Sequence, residues 1–221
     1  MKGNIMADFE FNDIGGGYEV VCYNGKGGDV RVPSSYNGRS VTSIGTFSFD
    51  CRKGINKIVL PNTIKRIEHL AFHRCEMKTI VLPDSITYID YNAFEDSGLE
   101  SVALPSSLTS IEPKTFFYCT NLTSVTIPSS VKRIDDDAFA NCTALESIRI
   151  PSSVNYIGTS AFERCNSLKK VYFDNPKGWY LTLGPEYTSG NDYSSEDMEH
   201  PPTAAKIMTK IYPHYKCWKR R

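Results

Sequence analysis

The sequence predicts a solenoid, a coil of short repeated turns, from three observations. A segment of about 23 residues recurs six times without a break. Each copy carries the same apolar residues at the same offsets, and each closes in a short alternating segment rich in β-branched residues. Because a unit this short cannot enclose a core alone, successive copies must stack on one another. The copies begin at Pro33, Pro61, Pro83, Pro105, Pro128 and Pro151.

The closing segment of each copy, Leu-x-x-Val/Ile-x-Ile/Leu, predicts one short strand. The proline that follows cannot donate to a ladder and ends the strand. Successive strands are reached by the same full turn, so we expect them to run parallel. At a spacing of about 4.8 Å, six strands form a sheet roughly 25–30 Å wide. The segment around Phe is too short for a regular helix and predicts a 3₁₀ or single helical turn.

An invariant Phe, preceded by a small residue, predicts the centre of the core. Stacked copies place equivalent side chains above one another, so the six rings should form one internal column. Four copies have Cys three residues after this Phe, where a small buried thiol can donate to a backbone carbonyl. The rings belong to Phe49, Phe72, Phe94, Phe116, Phe139 and Phe162. The cysteines are Cys75, Cys119, Cys142 and Cys165.

Covers are expected at both ends, because an open solenoid exposes an apolar face at each. Residues 1–40 alternate in polarity before and after Asn24-Gly25, which predicts a β-hairpin cap with its turn at that dipeptide. Residues 41–173 form the repeats. Residues 174–221 form a C-terminal α+β cap, with a strand from Trp179 and a short helix at about 202–212 that Pro202 opens.

In this cap, Trp179 and Trp218 are expected to pack on the end of the coil rather than to bind a ligand. Cys217 is expected to be the most exposed thiol. Seven cysteines, an odd number, argue against a complete disulfide framework.

The charge balance excludes a general attraction to nucleic acid or to an anionic membrane. The chain has 25 basic and 25 acidic residues, and its formal net charge is zero. No apolar run reaches the length of a membrane span, and the first residues do not have the pattern of a secretory signal. We therefore expect no membrane insertion. Either the protein stays in the cytoplasm where it is made, or its export signal lies outside this chain.

The combined spacing of Pro, Ile, Ala-Phe-x-x-Cys and Leu-x-x-Val-x-Ile resembles the leucine-rich repeats of the BspA-like, or treponemal, type. The resemblance covers 33–173, and the segments at 9–45 and 175–220 are similar to the flanks found in this family. It implies an α/β solenoid: a right-handed coil with parallel strands on a concave face and 3₁₀ or helical turns on the convex side. It also implies a bacterial or protist protein, often secreted or displayed on the cell surface, that binds host or partner proteins.

Two departures from the repeat pattern stand out. Ser97 replaces Cys in the third copy, and Cys51 lies one place early in the first copy.

The polar positions of the strands should point out of the sheet and line the concave face. In the middle copies these residues are small, and in the last two they include charge and an aromatic ring. Arg and Tyr are common interface anchors, so we predict a protein-binding site there, the alternative being an ordinary solvated sheet face. The predicted site consists of Ser124, Thr126, Ser147, Arg149, Lys169, Lys170 and Tyr172.

A second candidate surface lies on the outside of the coil. Tyr88, Tyr91, Phe117 and Tyr118 occupy variable positions of the middle copies. If they are exposed together, they form an apolar patch that indicates a binding function. The alternative is local packing within the turns.

No catalytic constellation, cofactor site or metal site is predicted. His69, His73 and Cys75 have a spacing that zinc could use, but the two His occupy variable outer positions and Cys75 should point inward. The carboxylates of Asp135–Asp137 are adjacent in sequence and should diverge, and no calcium-loop pattern follows them. There is no G-x-S-x-G motif and no P-loop.

We therefore predict a non-enzymatic protein-interaction module, of the adhesin type if it is displayed on a cell surface. Two alternatives remain open at this stage: a carbohydrate-binding module, and a scaffold or self-assembly element. The sequence specifies neither the partner nor the oligomeric state.

Overall fold

The computed structural model describes residues 5–182, 191–192, 199–209 and 217–220. It is a β-solenoid of about seven turns with very little helix. Two sets of parallel strands run along the coil, one of strands of three to five residues and one made mostly of two-residue strands, and the Phe-containing turns form a third side. The first described element is a 3₁₀ turn, Ile5–Asp8, which leads into strand β1, Phe9–Asp13.

The long-strand ladder confirms the predicted parallel strands, one for each repeat. Its strands, numbered along the chain, are β3 (Gly28–Arg31), β6 (Ile55–Val59), β8 (Thr79–Val81), β10 (Ser101–Ala103), β12 (Ser124–Thr126), β14 (Ser147–Ile150) and β16 (Lys170–Phe173). In each strand the central Val or Ile is buried and its neighbours face outward, as the alternating pattern requires.

A second, short-strand ladder contains the invariant Ile of each repeat and was not predicted. Two-residue strands give too little alternation to be recognised in a sequence. Its parallel members are β2 (Tyr18–Tyr23), β5 (Arg39–Ile44), β7 (Arg66–Ile67), β9 (Tyr88–Ile89), β11 (Ser110–Ile111), β13 (Arg133–Ile134) and β15 (Tyr156–Ile157).

The predicted Phe column is confirmed, and it runs through the whole coil. All six rings are fully buried, and successive ring centroids are 5.0–5.4 Å apart. From Phe72 to Phe162 the stacked rings are nearly parallel, with interplanar angles of 5–6°. Tyr23 stacks on Phe49 at 5.2 Å and Phe9 contacts Tyr23, so aromatic residues also close the N-terminal end of the column.

The convex turns contain no helical segment within residues 42–174, which corrects the expectation of 3₁₀ or helical turns. The residues two before and two after each column Phe have positive φ, as at Leu70 (+53°) and Arg74 (+51°) around Phe72. Along each turn, N–H groups that donate to the next coil alternate with N–H groups that donate within the turn, as from His73 to the carbonyl of Leu70. Phe72 N–H donates to the carbonyl of Ala93, 2.8 Å away in the next coil, and the equivalent bond is made by Phe49, Phe94, Phe116 and Phe139.

Three of the buried cysteines make the predicted thiol-to-carbonyl bonds. Cys119 Sγ donates to the carbonyl of Phe94 at 3.0 Å, and Cys142 and Cys165 make the equivalent bonds to Phe116 and Phe139. Ser97, which replaces Cys in the third copy, is buried and lies 3.4 Å from Cys119 Sγ. Cys119, Cys142 and Cys165 therefore each bond to the preceding coil and support the stacking.

The N-terminal segment differs from prediction in the position of its hairpin turn. β1 and β2 pair in antiparallel fashion, but the turn between them lies at Ile14–Gly17. Asn24-Gly25 instead forms the corner between β2 and β3, which join the two parallel ladders and build an additional coil. The first copy is longer than the others by an insertion around Tyr36 to Ser40. There β4 (Ser35–Tyr36) pairs with β5 in a small hairpin across Asn37-Gly38, where both residues have positive φ.

At the C-terminal end, the predicted α+β cap is not confirmed as a separate unit. β17 (Trp179–Thr182) and β19 (Cys217–Arg220) continue the short-strand ladder, because β19 pairs with β15 in antiparallel fashion and β17 pairs with β19. A further short strand, β18 (Asn191–Asp192), pairs with β17. Strand β19 therefore pairs with backbone groups of β15 that would otherwise be unpaired at the edge of the sheet.

One helix, α1 (Pro201–Met208), packs against β16. It is shorter than the helix predicted over 202–212, and residues 210–216 lie outside the described part of the chain. Trp179 and Trp218 are both buried, in agreement with a packing role.

The column generates the first prediction. Replacing Phe116 with Ala should lower the free energy of unfolding by about 3–5 kcal/mol, because the ring is fully buried between two neighbours and the cavity cannot be refilled. Tyr118→Ala, two residues away on the exposed side of the same turn, should cost less than about 1 kcal/mol. Urea unfolding of the two variants makes the comparison, and equal losses would contradict an internal column.

Candidate functional site: the long-strand face

The outward positions of the long strands form an exposed face, which we call the long-strand face. Its strands are hydrogen-bonded as two sheets, one from β3 to β12 and one of β14 and β16. Register pairs connect its members across adjacent strands, with Lys57 beside Thr79 and Ser101 beside Ser124. The middle strands present Ser101, Ala103, Ser124 and Thr126, all exposed. Their small side chains leave the backbone of the sheet accessible to a partner.

The C-terminal end of this face brings the predicted binding residues together. Ser147 lies beside Lys170, and Arg149 lies beside Tyr172, on the paired strands β14 and β16. The Arg149 side chain is 74% exposed although its Nε lies 2.7 Å from Asp174 Oδ1. Tyr172 is 40% exposed, and Lys169 and Lys170 are exposed beside it. An aromatic ring and three cations therefore lie next to the small side chains of the middle strands.

The second candidate set does not form one cluster. The Tyr88 ring lies under the Arg66 guanidinium, 4.4 Å from its carbon, and the Tyr88 hydroxyl donates to Asp90 at 2.8 Å. Burial, together with this bond to a carboxylate, raises the pKa of Tyr88 to about 12. Tyr88 is thus held in the short-strand ladder and does not belong to an exposed patch.

The other three members of this set lie on the turns. Phe117 and Tyr118 contact each other edge to face at 4.7 Å, and Tyr118 is exposed. The ring of Tyr91 contacts His69 at 4.0 Å.

One aromatic group was missed by the sequence reasoning. Phe47 is 50% exposed and lies 6.2 Å from His69, which in turn contacts the 48% exposed Tyr91. We call these three residues the aromatic row. Phe47 lies two residues before its column Phe, whereas His69 and Tyr91 lie three residues before theirs. An alignment of the repeats therefore does not place these three residues at one position.

The residues considered for metal binding do not meet as the sequence spacing would suggest. Cys75 is buried, and burial raises its pKa to about 11. His69 Nδ1 lies 3.0 Å from the carbonyl oxygen of Tyr91, and His73 Nδ1 lies 2.7 Å from Asp50 Oδ1.

The three adjacent carboxylates do not converge on one point either. Asp135 accepts from Arg133, whereas Asp136 accepts from the backbone of Thr159. Burial raises the pKa of Asp137.

The sequence profile described as BspA type leucine rich repeat region matches six copies over residues 42–174, and the chain belongs to this family. Proteins of this family are generally protein-interaction modules, typically non-enzymatic binding or scaffold proteins, and are often found at the cell surface. Within the described part of the chain, no helix is both long and apolar enough to cross a bilayer.

Solved structures show the same fold. A leucine-rich repeat protein of T. pallidum is 29% identical, with a TM-score of 0.70, over 76% of this chain and 82% of that protein. A leucine-rich cell surface protein of Faecalibacterium prausnitzii (27% identity, TM-score 0.59) and the pneumococcal vaccine antigen PcpA (26%, 0.62) also match over 76% of this chain. These matches span 53% and 48% of the two larger proteins. No curated protein sequence matches.

Thiol reactivity tests the geometry of the turns. Burial raises the pKa of Cys119 and Cys165 to about 12, so at pH 8 only on the order of one molecule in 10⁴ carries either thiolate, the form that reacts. In a Cys217→Ser background, exposed Cys51 should be alkylated first and half-buried Cys22 more slowly. The four column cysteines should react only on unfolding. Mass spectrometry of timed samples measures this, and early alkylation of Cys142 would contradict the packing.

Proposed function

We propose that the chain is a non-enzymatic module that binds a protein partner through the C-terminal end of its long-strand face. The observation that carries this proposal is the placement of Arg149, Lys170 and Tyr172 on two paired strands, all exposed. A site on hydrogen-bonded strands is held rigidly, so little conformational entropy is lost on binding. Arg and Tyr are also the residue types that most often dominate interface energies.

The neighbouring surface supports the same site. Next to these anchors, Ser124 and Thr126 are exposed and short, so a partner can approach the sheet closely. The cations of Lys169, Lys170 and Arg149 outnumber the nearby carboxylates of Glu146 and Asp174, which favours a partner with an acidic surface. The match to a cell surface protein of F. prausnitzii supports the part of the proposal that the chain is displayed on a cell surface. An adhesin-type role is the form that binding of a partner would take there.

The test compares two triple variants of equal size. Arg149→Ala/Lys170→Ala/Tyr172→Ala removes the anchors, and Tyr91→Ala/Phe117→Ala/Tyr118→Ala removes the exposed rings of the turns. Both sets lie on the surface, so both variants should retain the circular dichroism of the wild type. Proteins captured from the native environment of the source organism by the immobilised wild type provide the partner.

We expect the anchor triple to weaken binding of that partner at least about 100-fold, because two anchor residues commonly contribute 2 kcal/mol or more each. The ring triple should bind as the wild type does, as measured by surface plasmon resonance. Unchanged affinity of the anchor triple would place the site elsewhere, and a loss confined to the ring triple would move it to the turns.

A carbohydrate-binding function is the second candidate, and the aromatic row favours it. Phe47 and Tyr91 each expose about half of their surface, and rings on a sugar-binding surface stack on the apolar faces of pyranosides. A glycan array with the wild type and with Phe47→Ala/Tyr91→Ala separates the two functions. Glycan binding that disappears in this double variant, and persists in the anchor triple, would favour the carbohydrate role. Mass that rises with concentration in light scattering would instead favour a self-assembling scaffold.

A further inference from the structure

Three metal-binding side chains converge on the turn of the first repeat. The donor atoms of Asp50, Cys51 and His73 all lie within 4.8 Å of one another. His73 Nδ1 is 2.7 Å from Asp50 Oδ1, and Cys51 Sγ is 3.3 Å from the same oxygen. Among the residues that the structure describes, this is the one such group of three or more His, Cys, Asp or Glu side chains.

The stacking of the coil explains why Asp50 and His73 meet. Each is the residue that directly follows the column Phe, Asp50 after Phe49 and His73 after Phe72. The Cys51 N–H donates to the His73 carbonyl at 2.9 Å, so the two coils are held in register at this point. Equivalent residues of adjacent coils are therefore neighbours even though they are 23 positions apart in the sequence.

The shifted cysteine places a thiol beside this pair. In later repeats the cysteine follows Phe by three residues and is buried, whereas Cys51 follows by two. That position has positive φ in every coil, +55° at Cys51, and its side chain points outward. Cys51 is therefore exposed, because its position one residue early in the repeat places the thiol at the surface.

We propose that Asp50, Cys51 and His73 form a binding site for Zn²⁺ or a similar borderline-soft divalent metal ion. Thiolate, imidazole and carboxylate are the three ligand types that Zn²⁺ uses, at bond lengths of about 2.0–2.3 Å. A tetrahedral site with such bonds separates its ligand atoms by roughly 3.3–3.8 Å. The 3.3 Å between Cys51 and Asp50 already fits, and His73 needs to move by about 1 Å from its hydrogen bond.

The charges and the exposure also fit a divalent ion. A thiolate and a carboxylate with a neutral imidazole carry two negative charges, which balance the charge of a divalent ion, and thiolate and imidazole are ligands that suit Zn²⁺. The side chains of Asp50 and His73 are 34% and 18% exposed, so the site is partly sheltered and still accessible. Arg74, which directly follows His73, is paired with Asp96 at 3.2 Å.

The bound metal joins the first Phe-containing coil to the second. Three protein ligands leave one position for water or for a side chain of another molecule. The site lies on the turn side of the coil, away from the long-strand face, so metal binding does not depend on the proposed partner site.

Cobalt(II) is the probe that tests the proposal, because Co²⁺ replaces Zn²⁺ and a cobalt–thiolate bond gives a charge-transfer absorption in the near ultraviolet. Titration of the full chain should show this band saturating at one equivalent, and Zn²⁺ should displace it. Cys51→Ser should abolish the band. His73→Ala and Asp50→Asn should each weaken Co²⁺ binding by at least about tenfold, since each removes a ligand.

Matched controls use the same residue types outside the group. Cys22→Ser, Cys217→Ser and His69→Ala should bind Co²⁺ as the wild type does, and so should the Arg149→Ala/Lys170→Ala/Tyr172→Ala variant. In the unmodified chain, stoichiometric Zn²⁺ should slow alkylation of Cys51 at least about tenfold and leave Cys22 unaffected. The absence of the band at stoichiometric Co²⁺, its persistence in Cys51→Ser, or alkylation of Cys51 at an unchanged rate would each overturn the proposal.

Discussion

The interaction on which the whole structure depends is the in-register contact between one coil and the next. Rings of the Phe column stack at 5.0–5.4 Å, thiols bond to carbonyls of the preceding coil, and turn N–H groups donate to the following coil. Each of these contacts crosses from coil to coil, and a coil on its own would leave the groups unsatisfied. The free energy of folding therefore comes from contacts between neighbouring coils and not from contacts within any one repeat.

The same constraint decides where function can lie. Inward positions are occupied by residues that every coil must share, so only outward positions can vary without loss of the fold. Residues at equivalent positions of adjacent coils then form surfaces that no single repeat contains. Arg149 lies beside Tyr172, and Asp50 lies beside His73, because their coils are adjacent. A displacement by one residue, as at Cys51, moves a side chain from the core to the surface.

Much of the fold was predictable, because a repeated apolar pattern records which side chains must be buried together. The parallel long strands, the Phe column and the buried thiols all follow from that pattern. The turns did not, because the positive φ of Arg74, Lys114 and Tyr118 accompanies bonds to the next coil, and these residue types do not by themselves indicate it. The hairpin turn was assigned to Asn24-Gly25 because that dipeptide favours tight turns, whereas Asn37-Gly38 is the one that forms such a turn.

Of the two candidate sites, one was predictable from the sequence and the other was not. The outward direction of Arg149, Lys170 and Tyr172 followed from strand alternation, and their exposure agrees with it. The convergence of Asp50, Cys51 and His73 was missed because the spacing was examined within one repeat, where His69 and Cys75 seemed to be the partners of His73. Comparison of equivalent positions in adjacent repeats would have paired Asp50 with His73. No comparable rule predicts the partner of a surface, because the partner's own shape and charge are not encoded in this chain.

Deletion of one whole repeat tests the central claim most directly. Removing residues 105–127 joins Leu104 to Pro128 in the same frame, so that Phe94 should stack on Phe139. The account predicts a folded chain that unfolds cooperatively in urea, with an m-value smaller by roughly one seventh, since about one of seven coils is lost. Removal of residues 105–115, half a repeat, should abolish cooperative unfolding. Equal loss of cooperativity in both deletions would contradict stacking of equivalent, in-register coils.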